Sequence, residues 1–351
     1  MNKHYDPSKP HHRPEGFQNV HTESVARSLA EVLRWRWNSS RQGLPPPPTT
    51  PIPRVDPDLG FLHANAAAGA AMAPTVTWVG HATAMVQLGG LTLLTDPIFS
   101  DRASPLTFLG PRRHHPPGVA AAQLPHIDLV LVSHNHYDHL DEASVRALNR
   151  QPGGPPLFIV PLGLKAWLRS RGIRNAVELD WWRSHFLDSP GGEIEVMLAP
   201  AQHWSARGVR DRMATLWGGF AVFAPDCHAF YAGDTGYSRD FRDLRERVAD
   251  RQSGHQGGGF DIALLPIGSY EPRWFMASQH VNAEEAVKIH RDLGAKRSLG
   301  VHWGTFALTD EALDEPPRSL EREARAHGLD AGEFFVLAVG ETRLVRARSA
   351  L

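Results

Sequence analysis

The stretch Val130-Leu131-Val132-Ser133-His134-Asn135-His136-Tyr137-Asp138-His139-Leu140-Asp141 decides how this chain reads. The apolar, β-branched run Ile127–Ser133 predicts a buried strand. It delivers the chain to a loop that holds three histidines and one aspartate between positions 134 and 139. Alternate side chains of an extended segment point the same way, so His134 and His136 can face one cation together. Asp138 and His139 lie at the turn into the next helix, within reach of a second cation. Imidazole nitrogen and carboxylate oxygen are the ligands of catalytic zinc. Asp141 is more simply explained as the cap of a helix running to about Asn149 and ended by Gly153–Gly154.

A two-metal site needs further ligands, and three candidates stand just past other apolar strands. His203 follows Val196–Pro200, Asp234 follows Phe230–Ala232, and His302 ends Ser298–Val301. Strand ends on one edge of a sheet converge in space, so residues far apart in sequence can complete one site. More strands are predicted at Thr75–Val79, Ala84–Leu88, Leu91–Thr95, Leu157–Val160, Ile194–Ala199, Phe220–Phe223, Ile262–Pro266 and Phe334–Val339, with Gly89–Gly90 as a hairpin turn. Ile194, Val196 and Leu198 alternate with polar or small neighbours, the pattern of a half-buried strand. Asn282 and Glu285 form a capping box for a helix closed by Gly294, and another helix is expected over Pro317–His327, ended by Gly328. Leu91–Asp96 echoes Phe230–Asp234: each is an apolar strand ending in aspartate, with a serine, Ser100 or Ser238, four places on. Two such β-rich halves suit an α/β architecture, an αββα sandwich of two mixed sheets packed face to face with helices outside.

Residues 1–55 read as an N-terminal arm, and residues 56–351 as the main domain. The arm contains one predicted helix from about Glu23 to Trp37, with Val25, Leu29, Val32, Leu33 and Trp37 as its apolar stripe. Two readings apply to it: a helix docked on the main body, or a lipid- or partner-facing element, since Arg34, Trp35, Arg36 and Trp37 mix cations with aromatics. Basic and acidic residues number 37 and 38, for a net charge of -1, so the strongly basic footprint of nucleic-acid binding is missing. Cys227 is the one cysteine, which rules out an intramolecular disulfide and fits a reducing compartment. No signal-peptide core follows Met1, and no run reaches the roughly 18 apolar residues of a membrane span. A cytoplasmic location is therefore expected.

Longer strings around the histidine loop carry a resemblance. They are Trp78–Thr83, Leu94–Ser100, Ser133–Asp141, Gln202–Trp204, Ala232–Tyr237, Leu265–Met276, Gln279–Val281 and His302–Phe306, in order over about residues 75 to 310. The His-x-His-x-Asp-His pattern resembles the signature of the metallo-β-lactamase superfamily. The longer strings resemble its N-acylphosphatidylethanolamine-hydrolysing phospholipase D branch. That resemblance implies one zinc held by His134, His136 and His203, and a second by Asp138, His139 and His302. Asp234 would bridge them together with a shared water or hydroxide. Iron or manganese in place of zinc stays open. The implied reaction is attack of the bridging hydroxide on phosphorus of a phosphodiester, releasing an alcohol, with Asp138 orienting the nucleophile. His280 resembles a family residue beside the phosphate, where it binds that group or aids the leaving oxygen. Gln279 is expected to line the substrate pocket, and Tyr137 either lines it or packs under the loop. His81 and Asp96 are expected to hold ligands from behind, because a ligating histidine donates its other N–H to a carboxylate or carbonyl.

The expected substrate is an N-acyl phosphatidylethanolamine-like phospholipid or another small molecule. The first sixty residues match the branch poorly, and in its animal enzyme that region shapes the lipid groove and the dimer contacts. A homodimer and a peripheral membrane contact are thus admitted but not specified. Two other readings compete: a lactonase or other ester hydrolase on the same metals, and a non-catalytic metal-binding protein on a retired scaffold. The intact set of seven ligands argues against the last.

Overall fold

Alternation along the central strands sorts their apolar side chains into two layers. Leu93, Leu129, Leu131 and Ile159 belong to one buried cluster, whereas Leu94, Val130, Val132, Phe158 and Val160 belong to another. The first cluster also holds Val196, Leu198, Phe220, Val222, Phe230 and Leu264, from strands later in the chain. The second holds Val145, Leu148, Leu164 and Leu168, from two helices. One face of each strand thus meets another sheet, and the opposite face meets helices.

The computed structural model describes residues 2–22, 27–208, 210–252 and 258–345. Its elements in chain order begin with β1 (His12–Arg13), β2 (Gly16–Phe17), α1 (Leu29–Gln42), α2 (Leu59–Ala67), β3 (Thr75–Gly80), β4 (Thr83–Leu88) and β5 (Leu91–Thr95). There follow β6 (Leu129–Leu131), α3 (Glu142–Leu148), β7 (Leu157–Pro161), α4 (Leu164–Ser170), β8 (Ala176–Leu179), β9 (Ser184–Ser189) and β10 (Gly192–Ala199). The rest are β11 (Gly219–Phe223), β12 (His228–Tyr231), α5 (Asp240–Arg247), α6 (Ala249–Gln252), β13 (Ile262–Pro266), α7 (Arg273–Met276), α8 (Ala283–Asp292), β14 (Ser298–Val301), α9 (Glu315–Ala326), β15 (Phe334–Phe335) and β16 (Thr342–Leu344).

Two seven-stranded sheets result, in the orders β16-β3-β4-β5-β6-β7-β8 and β15-β14-β13-β12-β11-β10-β9. In the first, β3, β4 and β5 pair antiparallel and β5 through β8 pair parallel. In the second, β10, β11 and β12 pair antiparallel and β12 through β15 pair parallel. Both sheets are mixed, and β3–β8 repeats as β10–β15. The echo between Asp96 and Asp234 is the trace of that repeat, since the two residues follow the matching strands β5 and β12. The Gly89–Gly90 turn has φ of 59° and 83°, and a Cβ on Gly89 would stand 2.8 Å from Ile194 Cδ1. Glycine there serves both the turn and the sheet-to-sheet approach.

Some expectations need correcting. Strand β10 is buried on both faces from Ile194 to Ala199, not half-buried. Its outward Glu195 is covered by Arg251 of α6 at 2.7 Å. Strand β15 stops at Phe335, short of the expected Val339. The helix capped by Asp141 ends as expected, at Leu148 with Asn149 as its C-cap, but Gly153–Gly154 lies beyond it and is not its stop. Helix α1 starts later and runs further than expected, from a Ser28–Glu31 capping box to Gly43. Glu23 and Val25, its expected start, lie outside the described residues. Its buried face is also different. Trp35 is buried against Phe275 with Val32 beside it, while Leu33 and Trp37 are 61% and 65% exposed. The Trp35 indole N–H donates to Asp310 at 2.9 Å, and a buried indole needs such an acceptor. That bond sets the helix phase. No helix among the described residues is long and apolar enough to cross a membrane.

Candidate metal centre

The strand ends bring the seven candidate ligands together. His134, His136, Asp138 and His139 follow β6, His203 stands in the loop after β10, Asp234 follows β12 and His302 follows β14. Two groups form. His134, His136 and His203 present ligand atoms within 4.8 Å of one another, and so do His81, Asp138, His139 and His302. Within the first group His134 Nε2 lies 2.9 Å from His136 Nδ1, and His203 Nε2 lies 3.3 Å from it. Within the second, His139 Nε2 is 3.2 Å from His302 Nε2, and Asp138 Oδ2 is 3.3 Å and 3.4 Å from those two nitrogens. Asp234 stands between the groups. Its Oδ2 is 3.1 Å from His139, 3.8 Å from His203 and 4.0 Å from His134, and its Oδ1 is 3.2 Å from His302.

These separations fit a cation in each group. Ligands about 2.0–2.1 Å from a tetrahedral zinc stand roughly 3.3 Å apart. Electrostatics agree. Burial is the largest cause that depresses the rings of His81 (to about 3), His136 (about 4), His203 (about 3) and His280 (about 3), and it holds His134 well below its usual value. Burial alone would act likewise on His139 and His302. Asp234 and Asp138 beside them outweigh it, holding His139 well above the usual range and pushing His302 up to about 9. Burial alone would raise both carboxyls, yet His139 and its neighbours hold Asp138 and Asp234 well below the usual carboxylate range. Buried carboxylates among mostly neutral imidazoles are the donor set a divalent cation requires, and its arrival would displace the protons on His139 and His302.

Neighbouring residues fix the rings. His139 Nδ1 meets Asp96 at 2.6 Å, leaving Nε2 to face the site. Asp96 also accepts the Ser133 N–H at 2.7 Å, the Ser133 hydroxyl at 2.5 Å and the Tyr231 hydroxyl. His203 Nδ1 donates to the Gln279 carbonyl at 3.0 Å, and His134 Nδ1 meets Ser133 Oγ at 2.9 Å. His81 Nε2 reaches Asp138 at 2.9 Å, and its backbone N–H donates to Thr305 Oγ1 at 2.7 Å. His81, Asp96 and His302 have φ of 54°, 32° and 63°, left-handed values that non-glycine residues avoid. Such strain persists where surroundings over-determine it, as around active sites. Gly233 (φ 61°) lets the turn into Asp234 pass Ser133, whose Cβ would stand 2.6 Å from an added Cβ.

The remaining expected residues divide. His280 lies beside both groups, its Nδ1 3.8 Å from Asp234, buried and without a hydrogen-bond partner among the described residues. Gln279 meets His203 through its backbone carbonyl, and its side-chain amide donates to the Met276 sulfur at 3.3 Å. Tyr137 gives its hydroxyl to the Arg207 carbonyl at 2.8 Å, under the Arg207 guanidinium. That contact is the one expected of a Tyr137 packed under the loop. Sequence reasoning missed Tyr231, Ser133 and Thr305. Tyr231, a phenol in the otherwise apolar run Ala229–Ala232, reads as core, whereas Ser133 and Thr305 lie within strings quoted for the resemblance without a role of their own. A third group, His11, His12 and Asp180, also has metal-like spacing, but Lys9 Nζ occupies the carboxylate at 2.6 Å and supplies a cation there.

Comparison with known proteins adds an independent line. Residues 92–303 match the family model of the beta-lactamase superfamily domain. The chain is 40% identical over 275 residues to an N-acyl-phosphatidylethanolamine-hydrolyzing phospholipase D of Caenorhabditis elegans, covering 76% of this chain and 74% of that one. It is 27% identical to a UPF0173 metal-dependent hydrolase of Pyrobaculum aerophilum, over 76% of this chain and 97% of the relative. Among solved structures, an isothiocyanate hydrolase from Delia radicum gut bacteria shares the fold, with a TM-score of 0.58 at 21% identity over 77% of this chain and 98% of the other.

Proposed function

Because this chain belongs to the beta-lactamase superfamily and is a metal-dependent hydrolase, we propose that it is a binuclear zinc phosphodiesterase of phospholipase D type, acting on N-acyl phosphatidylethanolamine-like phospholipids. The observation that carries the two-metal form of this reading is Asp234, one carboxylate within 4.0 Å of histidines from both groups. The phospholipid substrate is supported by the identity to the nematode phospholipase D. All seven proposed ligands, His134, His136, Asp138, His139, His203, Asp234 and His302, come from one chain, so a homodimer is not needed to complete the site.

Two bound cations supply water of lowered pKa and a positive clamp for the phosphoryl oxygens. Asp138, kept ionised by its histidine neighbours and held by His81, orients the attacking water and takes its proton. The water oxygen bonds to phosphorus, the bond from phosphorus to the ethanolamine oxygen breaks, and the proton leaves with the N-acylethanolamine. Burial keeps the His280 ring neutral near pH 7, which favours a hydrogen bond to the phosphoryl group over proton donation by an imidazolium. An arm through residue 55, a hydrolase body over residues 56–351, a cytoplasmic location and a peripheral approach to the bilayer that holds the substrate belong to the same proposal.

The test is hydrolysis of a fluorogenic N-acyl phospholipid beside a panel of lactones by the zinc-loaded protein. Release of N-acylethanolamine and phosphatidic acid, ahead of any lactone opening, is expected. Faster lactone hydrolysis with no phospholipid turnover would overturn the substrate assignment in favour of an ester hydrolase.

A further inference from the structure

His203 stands in a loop, so its backbone N–H and C=O have no strand partner, and buried backbone groups need one. Both find it in a single side chain. Asn19 Oδ1 accepts the His203 N–H at 3.1 Å, and Asn19 Nδ2 donates to the His203 carbonyl at 2.9 Å. Asn19 and His203 are both buried. A carboxamide carries its donor and its acceptor on two neighbouring atoms, so Asn19 does here what a neighbouring strand would do. The segment carrying it is fixed just ahead of it. Phe17 N–H donates to the Met213 carbonyl at 2.8 Å with the Phe17 ring in the main core, and His11 meets Asp180 at 2.8 Å. The ring of His203 is fixed separately, by the Gln279 carbonyl. Backbone and ring together aim Nε2 at His136 and Asp234.

We propose that Asn19 is a positioning residue for the metal centre, through which the N-terminal segment sets the affinity of the cation shared by His134, His136 and His203. The inference rests on the reading of His203 as a ligand. Outer partners of ligating histidines tune metal affinity by about 10- to 100-fold. Asn19 reaches its ligand through the backbone, from a part of the chain some 180 residues away.

The experiment is competition of the full chain against a chelator for zinc alone, on wild type, Asn19→Ala, Asn19→Asp and His136→Ala. Asn19→Ala is expected to weaken one of two zincs by about 10- to 100-fold and leave the other unchanged. Asn19→Asp keeps the acceptor and loses the donor, and should fall between it and wild type. If Asn19→Ala does not fold, Asn19→Asp decides the question in the same way. Wild-type affinity for both zincs in the Asn19 variants would overturn the inference. So would an equal weakening of both zincs in step with a lower melting temperature of the zinc-free protein, the mark of a merely structural role. His136→Ala separates the two claims: loss of one zinc sustains the site whatever Asn19 does, and retention of both overturns the site and the inference together.

Discussion

At the scale of single residues, Asp96 shows how much of the site is held from outside it. Its one carboxylate accepts from Ser133 N–H, Ser133 hydroxyl, Tyr231 hydroxyl and His139 Nδ1. Burial, with Asp96 beside it, holds the Tyr231 phenol well above its ordinary value, so it stays protonated and donates. These contacts fix the His139 tautomer and leave Nε2 for a cation. Asp96→Asn puts an NH2 group against donors and is expected to weaken zinc by about 10- to 100-fold, read by chelator competition. Unchanged affinity would contradict the role given to Asp96. An aspartate at the end of an apolar strand is visible in sequence, and so was Asp96. Tyr231 was not, because a tyrosine among apolar residues reads as core. The contact of Gln279 with His203 was not legible, because it runs through a carbonyl, which every residue type carries.

At the scale of elements, the N-terminal segment is held by a cluster that responds to pH. Burial alone would raise the Asp180 carboxyl, but hydrogen bonds from His11, Lys9 and His12 outweigh it and hold the group well below its ordinary 3.8. A depressed carboxyl contributes stability above its unfolded value and loses it as the pH falls through the folded one. Asp180→Asn should therefore lower the melting temperature at pH 7, with the gap to wild type closing below about pH 4. A gap of constant size across that range would contradict the clamp. This cluster was not legible, since the histidines are distant in sequence from Asp180 and strands β8 and β9 around it carry weak patterns. The capping boxes of α1 and α8 differ in the same respect: Asn282 with Glu285 was read, whereas Ser28 with Glu31 was passed over for an apolar stripe. Period alone could not fix the phase of α1, because the acceptor for Trp35, Asp310, lies 275 residues away.

At the scale of the whole molecule, two copies of one strand pattern put Asp96 and Asp234 after matching strands β5 and β12, with the two groups of candidate ligands gathered at those strand ends. The fold class was legible, and so were the seven residues that converge at the strand ends, because histidines and aspartates are rare in apolar surroundings. The phase of α1, the reach of Asn19 and the burial of β10 depend on contacts made only after the sheets close. In the proposed site seven side chains hold two cations with Asp234 shared between them. Elemental analysis of purified protein measures it directly. Two zinc ions per chain in the wild type, with both sites weakened in Asp234→Asn, is the predicted result; a wild type with one cation per chain, or an Asp234→Asn variant with two bound as tightly as before, would contradict it.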